Sequence, residues 1–161
     1  MRGPQEKGPD VGLQPDIEDV LAANAGFYRA FASGDYAAMD ALWASTVPVF
    51  CIHPGWPPVH GRDKVMQTWQ GILTTPPRPP IRALEEEVMI NGPTALVVCF
   101  ESIGDIYLAA SNLFVREEGS WRLVHHQSGE TQRAPKSLSK QSPNTLHLTL
   151  KAAFADVEDA L

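Results

Sequence analysis

The chain has 161 residues, 43% of them hydrophobic, and a formal net charge of -6. A chain of this size is expected to form one domain whose core needs no metal or disulfide support. The acidic balance and the scattered basic residues argue against nucleic-acid binding, which depends on clustered Lys and Arg. No apolar segment approaches the ~18 residues of a membrane helix, and no secretory signal is recognisable, so we expect a cytoplasmic protein that does not bind membranes.

The N-terminal third of the chain predicts two helices after a disordered arm. Residues 1–15 are rich in Pro and Gly and lack periodicity, which is typical of disorder. From residue 17 to residue 31 the apolar side chains recur at i, i+3, i+4 and i+7, with Asp16 as a cap and Ser33-Gly34 as the stop. Asp35 then caps a second, shorter helix that reaches about residue 44.

The next segment predicts a strand, a shaped loop and a third helix. Residues 46–52 are β-branched and aromatic, as in a strand. Residues 53–58, with the sequence HPGWPP, fit neither a helix nor a central strand and must form a loop. Gly61 opens the third helix, which runs to residue 73, and the Pro-rich segment 74–80 follows as an extended linker.

Successive strands are predicted after the linker. Residues 84–90 alternate, with Leu84, Glu86, Val88 and Ile90 on one face and Glu85, Glu87 and Met89 on the other. Asn91-Gly92 predicts a hairpin turn whose type Pro93 alters. Residues 95–103 and 108–115 are apolar at both odd-numbered and even-numbered positions. Both faces of these strands are therefore expected to be covered, one by helices and the other by a second subunit. Cys51 and Cys99 lie in apolar runs and are interpreted as reduced core residues.

The segment 108–129 forms the last predicted hairpin, with its turn at residues 117–120 and two adjacent histidines, His125 and His126, near its end. The domain is thus expected to span residues 16–130. Residues 131–161 are predicted to be a flexible tail in which apolar residues at helical spacing leave a short terminal helix possible.

The element order ααβαββββ resembles that of the NTF2-like superfamily. Residues 112–128 resemble the last hairpin of its SnoaL-like branch, a group that includes the calcium/calmodulin-dependent kinase association domain. Residues 33–36 and Gly61 match that branch as well. The resemblance implies an α+β cone-shaped barrel, in which three N-terminal helices pack on a strongly curved antiparallel sheet around a deep cavity, and a homodimer formed through the outer sheet face. It does not imply a reaction, because this fold carries many functions.

Alternation on the last strand places Val124, His126 and Ser128 on one face, and Trp121, Leu123, His125 and Gln127 on the other. By analogy with the kinase association domain, the first set faces the cavity together with Asn112. There His126 can take or give a proton, and the Asn112 amide can hold a carbonyl or carboxylate oxygen. The alternative is a structural role, in which buried polar groups satisfy one another.

Four further residues are candidates for the cavity wall. His53 and Trp56 are expected at its mouth, where His53 can face His126 as in scytalone-dehydratase-like members; alternatively, both residues only fill and cap the loop. Glu101 interrupts an apolar strand, so its carboxyl must be paired or have a raised pKa. Tyr28 either points its hydroxyl into the cavity or packs in the core.

Neither a metal site nor a cofactor site is expected, because no zincin-like spacing and no glycine-rich phosphate loop is present. The favoured hypothesis is a homodimeric domain that binds a small organic molecule, carbonyl-bearing or acidic, in its cone. An alternative is a cofactor-free acid/base enzyme of the isomerase, dehydratase or cyclase type that uses His126 or His53. A third is an oligomerisation module. The sequence leaves open whether the protein is an enzyme.

Overall fold

We describe the protein from a computed structural model that covers residues 13–76, 79–132 and 134–136. The predictions for residues 1–12 and for the tail from residue 137 lie outside the described residues. The elements in chain order are α1 (Leu13–Ser33), α2 (Tyr36–Leu42), β1 (Phe50–Ile52), β2 (Val59–His60), α3 (Arg62–Thr74), β3 (Ile81–Asn91), β4 (Thr94–Ile103), β5 (Ile106–Glu117) and β6 (Ser120–Glu130).

The six strands form one sheet in the order β2-β1-β6-β5-β4-β3. The predicted α+β class with three helices on a sheet is confirmed. The sheet is mixed, because β1 runs parallel to β6, whereas the prediction had it antiparallel throughout. These two strands are far apart in the sequence, so no hairpin dictates their relative direction. The sheet is also open, since β2 and β3 are its two edges and do not pair with each other.

The predicted caps of the second and third helices are in place. The Asp35 carboxylate accepts a hydrogen bond from the backbone N–H of Ala38 at 2.9 Å. Gly61 precedes α3 with a φ of 86°, a backbone conformation that glycine adopts without a steric penalty. The first helix begins at Leu13, about one turn earlier than predicted, so Asp16 lies within its first turn, where it forms an ion pair with Arg116.

The first predicted strand is shorter than expected. Only Phe50–Ile52 pair as β1, because Pro48 has no N–H to donate to a ladder. The segment before β1 is held by side-chain hydrogen bonds in place of strand pairing. The carboxylate of Glu117 accepts hydrogen bonds from the backbone and the hydroxyls of Ser45 and Thr46. The loop at residues 53–58 is confirmed, and the two-residue strand β2 after it was not predicted.

A β-bulge in β3 changes which side chains face the helices. The register with β4 shifts between Leu84 and Glu87, and Glu85 adopts a positive φ of 52°. Leu84 therefore lies opposite Phe100 on the outer face, although simple alternation placed it with Val88 and Ile90. An extra residue in one strand exchanges the two faces beyond it. The prediction for Leu84 was wrong for this reason.

A second bulge lies in β6. Leu113 pairs with His125 but Phe114 pairs with Leu123, so Val124 is the extra residue. Trp121 and Leu123 are consequently buried on the same side of the sheet as His126, although alternation placed them with His125. Beyond the bulge the predicted faces are correct: His126 and Ser128 are buried, and Gln127 is exposed.

The inner sheet face and the helices enclose the core, which includes both cysteines as buried free thiols. The outer face carries a largely apolar cross-strand row beside a mixed row of Glu87, Val98, Ser111 and Gln127. The first row runs from Met89 through Leu96 and Leu113 to His125 and Phe50. Because Met89 is 61% exposed and Phe50 is 41% exposed, this face is open to solvent in the single chain.

Candidate functional site

Polar side chains from four elements are buried together on the inner face of the sheet. Each is at most 5% exposed, and the hydrogen bonds below join them into one network: Asn24, Tyr28, Glu101, Asn112, His126 and Ser128. Asn24 and Tyr28 are one helical turn apart on α1 and therefore share a face. Asn112 lies directly opposite His126 in the β5 and β6 pair. The predicted candidates on these strands are thus brought together.

Asn112 determines which nitrogen of His126 carries the proton. The amide nitrogen of Asn112 donates to Oδ1 of Asn24 at 2.7 Å and to the Tyr28 hydroxyl at 3.3 Å. Its carbonyl oxygen must then accept the hydrogen bond from Nδ1 of His126, at 2.6 Å. In the neutral ring, Nε2 therefore keeps a lone pair, which can accept a proton.

Glu101 is the buried acid of the network. Its Oε1 accepts a hydrogen bond from the Tyr28 hydroxyl at 3.0 Å, and its Oε2 accepts one from the Ser128 hydroxyl. Burial raises the pKa of Glu101 to about 7, and these two hydrogen bonds to the carboxylate keep it from rising further. Glu101 therefore changes its charge close to neutral pH.

Glu101 and His126 form a pair of titratable groups. Nε2 of His126 lies 3.9 Å from Oε1 of Glu101. Burial, with smaller contributions from His53 and His125, lowers the pKa of His126 well below its ordinary value. A carboxyl that titrates near neutrality thus lies beside the unprotonated nitrogen of a neutral imidazole, a combination that acid/base chemistry can use.

His53 lies in the core, and the prediction that it stands at the mouth of the cavity was wrong. The side chain is 1% exposed, and its Nε2 lies 2.9 Å from the Thr68 hydroxyl. Because that hydroxyl donates its own proton to the carbonyl of Val65, Nε2 of His53 is the donor of the bond. The loop folds back onto α3 to make this contact, and the burial lowers the pKa of His53 to about 4.

Aromatic rings separate His53 from the polar network. The ring of Trp69 contacts His53 at 4.7 Å and His126 at 5.8 Å between ring centroids. Trp56 is half-buried and packs edge-on against His53 at 5.0 Å. The two histidines therefore flank an indole ring. One of the two predicted alternatives had them facing each other across the cavity; the contacts fit the other, in which His53 and Trp56 fill the loop.

A cavity of about 310 Å³, open to solvent and lined in part by exposed residues, lies between α1 and β3. Its walls are largely apolar, with a polar group at several positions: Ala25, Tyr28, Arg29, Ala32, Ile81, Arg82, Ala83 and Glu86. Tyr28 is the predicted site residue that lines this cavity. The other predicted site residues are not part of its wall: His53, Trp56, Glu101, Asn112, His126 and Ser128.

Glu86 is a site residue that the sequence reasoning missed. It lines the cavity and accepts a hydrogen bond from the Asn24 amide at 2.7 Å, so it joins the cavity to the network. The bulge at Glu85 places this side chain on the α1 side of the sheet, where it stays exposed. Its predicted alternation with Val88 and Ile90, both turned toward the core, was the available signal.

Solved structures similar to this chain include members of the NTF2-like family. A proposed dehydratase of the NTF2-like family from Streptomyces avermitilis is 28% identical, with a TM-score of 0.70 over 75% of this chain and 99% of that one. A proposed calcium/calmodulin-dependent protein kinase type II association domain from Thiobacillus denitrificans is 30% identical, with a TM-score of 0.57 over 70% of this chain and 94% of that one. A proposed ketosteroid isomerase from Parabacteroides distasonis is 13% identical, with a TM-score of 0.57 over 70% and 86%, and is similar in fold alone. The architecture is therefore NTF2-like.

Residues 20–129 match the model of the SnoaL-like domain, and the chain belongs to this family. The family resemblance predicted from the last hairpin is confirmed. The comparison with curated proteins found no match. Among the residues that the structure describes, no helix is long and apolar enough to cross a membrane.

Proposed function

We propose that this SnoaL-like domain binds a small organic molecule in the cavity between α1 and β3. The observation that carries the proposal is that the cavity wall includes Tyr28, a member of the buried hydrogen-bond network, and the exposed Glu86, which accepts a hydrogen bond from Asn24 of that network. Ligand sites typically combine apolar walls with a few convergent polar groups and residues of perturbed pKa. The volume of about 310 Å³ suits a molecule of modest size.

The apolar part of such a ligand would lie against the small side chains of the wall. Ala25 and Ala32 come from one face of α1, and Ile81 and Ala83 come from the facing edge of β3. The polar part would point toward Tyr28, behind which Glu101 is buried. This division favours a compact molecule with one polar end.

The binding experiment compares two helix-surface substitutions in an isotope-labelled protein. Small ketones and hydroxy acids are titrated, and the amide resonances of Tyr28 and Ala83 are followed. Ala32→Leu is expected to block binding because the larger side chain fills the cavity, and Ala37→Leu, an exposed alanine on α2, is the matched control. Binding at 100 times Kd is expected to stabilise the fold by about 2.7 kcal/mol. If no compound shifts these resonances, or if both variants bind equally, the site is wrong.

Acid/base catalysis by the buried network, which Tyr28 and Asn24 connect to this cavity, is the second candidate function. The pair of Glu101 and His126 favours it, because their Oε1 and Nε2 atoms lie 3.9 Å apart and the pKa of Glu101 is about 7. The 28% identity to a proposed dehydratase supports it further. Catalysis predicts that a bound compound is converted over hours and that His126→Gln stops the conversion while binding continues. A compound that binds and stays unchanged speaks for binding alone.

The proposal includes a homodimer in which a second copy covers the outer sheet face. The apolar row from Met89 to Phe50 and the exposed Val98 in the neighbouring row support it. Exposed apolar patches of this kind commonly mark interfaces. Val98→Glu is expected to give a monomer in sedimentation experiments, while Gln67→Glu, on the exposed side of α3, leaves the dimer intact. A wild-type protein that sediments as a monomer at high concentration would rule this interface out.

A further inference from the structure

One cross-strand row on the outer sheet face contains two histidines. Strand pairing places one residue from each strand in this row: Met89, Leu96, Leu113, His125, Phe50 and His60. His125 lies inside the row, directly opposite Leu113 on β5 and Phe50 on β1. His60 lies at the end of the row, on the edge strand β2, where it is exposed. Between Met89 and Phe50, His125 is thus the one side chain that can acquire a charge.

The side chains that flank His125 on the neighbouring strands are uncharged. Its diagonal neighbours are Ser111 and Val115 on β5 and Ile52 on β1, and none of them is ionisable. Among the residues that the structure describes, His125 forms no ion pair with a carboxylate. In the single chain, contact with water therefore stabilises a protonated His125.

The charged and titratable groups farther away leave this situation unchanged. Along β6, Arg122 is the preceding charged residue, and its guanidinium donates to the carbonyl oxygen of Ala41 at 2.6 Å. Glu87, from β3, lies in the neighbouring row and is three strands away from His125. On the inner face, His126 stays neutral because burial lowers its pKa. A positive charge on His125 thus has no compensating group beside it in the described part of the chain.

We propose that protonation of His125 controls the association of two copies through the outer sheet face. This inference rests on the proposed function, because it concerns the interface of the proposed homodimer. Apolar surface can cover a neutral imidazole at a modest cost, whereas a buried imidazolium without a carboxylate partner loses its hydration uncompensated. In a two-fold symmetric interface the same patch occurs on both chains, so dimerisation covers two copies of His125. The dimer is therefore stable when His125 is neutral and weakened when it is protonated.

Proton linkage gives the direction of the pH effect. Two separate chains bind more protons at His125 than the dimer does, so a fall in pH through the range in which histidine titrates favours separate chains. The net charge acts in the opposite direction, because the formal value of -6 becomes smaller in magnitude as the pH falls and the two copies repel each other less. Dissociation on acidification therefore points to a group inside the interface.

The test measures the Kd of the dimer by sedimentation equilibrium at about pH 7.5 and about pH 6. Over this interval the neutral fraction of an ordinary histidine falls about fourfold, so two copies per dimer raise Kd about fifteenfold. His125→Gln is neutral at both pH values and should abolish this rise. His60→Gln, at the exposed end of the row, is the matched control and should keep it. Circular dichroism at both pH values checks that each variant is folded.

A permanent charge at the same position provides a second measurement. His125→Arg is charged at both pH values and should weaken the dimer at both to a similar extent. If this variant dimerises as tightly as the wild type at about pH 7.5, a charge is tolerated in the interface and the inference is overturned.

The remaining outcomes separate the inference from the proposed homodimer. If the wild type dimerises with the same Kd at both pH values, the inference alone is overturned. If His125→Gln keeps the rise in Kd, or if His60→Gln loses it, another group controls association and the inference is also overturned. If the wild type sediments as a single chain at both pH values and at high concentration, the homodimer and the inference are both refuted.

Discussion

Replacing Glu101 by glutamine tests whether this carboxyl is held protonated in the folded protein. The side chain is fully buried, and its pKa is about 7, against an ordinary value of 4.5. Glutamine has nearly the same shape and does not titrate. Comparing the two proteins therefore isolates the proton of Glu101 from the other ionisable groups.

Proton linkage determines whether the free energy of unfolding rises or falls with pH. Between pH 4.5 and 7 the folded protein keeps the proton on Glu101, while the unfolded chain has released it. The folded state binds more protons in this range, so the stabilisation is complete below pH 4.5 and is lost as the pH rises through 7. At about 1.4 kcal/mol per pH unit, the free energy of unfolding of the wild type should fall by about 3 kcal/mol relative to Glu101→Gln.

The assay is urea unfolding at about pH 4.5, 6 and 7.5, with linear extrapolation to water. The contribution of His53, which has the opposite sign, is present in both proteins and cancels in the difference. Glu18→Gln, which removes an exposed carboxyl on α1, is the matched control for the loss of one acidic side chain. A difference between wild type and Glu101→Gln that is flat, or that grows with pH, would refute the assignment of a protonated buried acid.

Three further predictions concern the surrounding structure. In the wild type, protonation of His53 in the unfolded chain should cost about 3 kcal/mol of stability as the pH falls from 6.5 to 4, since burial lowers the pKa of His53 in the folded protein to about 4. His53→Gln should lose this acid sensitivity in denaturation experiments near pH 4.5. If the variant keeps the pH dependence of the wild type, the burial of His53 is contradicted. Asn112→Ala should destabilise the fold by about 2 to 4 kcal/mol in urea unfolding because it leaves buried partners unpaired, whereas Asn91→Ala, at the exposed end of β3, should be close to neutral. Hydrogen bonds from Thr46 and Ser45 lower the pKa of Glu117 to about 2, so this carboxylate stabilises the fold above pH 4.5 and loses its effect as the pH falls toward 2. Glu117→Gln should therefore lower the Tm at neutral pH. An unchanged Tm would show that the contact contributes nothing to stability.

The inward-facing candidates on the last strands could be found from the sequence because alternation is a local property. His126 and Ser128 are two residues apart and face the core, and Asn112 faces His126 across a hairpin whose turn was also predictable. In that turn Glu118 and Gly119 both have positive φ, as a tight two-residue connection requires. The buried position of Glu101 was likewise indicated by its apolar neighbours.

The partners of these residues could not be found in this way. Asn24 bonds Glu86 across 62 residues and Asn112 across 88 residues, and no local pattern specifies contacts at such separations. The two bulges, at Glu85 and at Val124, could not be predicted either, because the sequence pattern does not show where a strand contains an extra residue. The position of His53 was misjudged because a loop residue next to prolines gives no indication that it folds back onto a helix.

The sequence by itself determined the helices, their Asp35 and Gly61 caps, the last hairpin and the family, since periodicity, capping and turn chemistry act over a few residues. Only the tertiary structure decided that the strands form an open mixed sheet, that Glu86 joins Tyr28 at the cavity wall, and that burial brings the pKa of Glu101 to about 7. These features depend on which distant segments meet and on how completely they exclude water. Both are properties of the packed molecule as a whole.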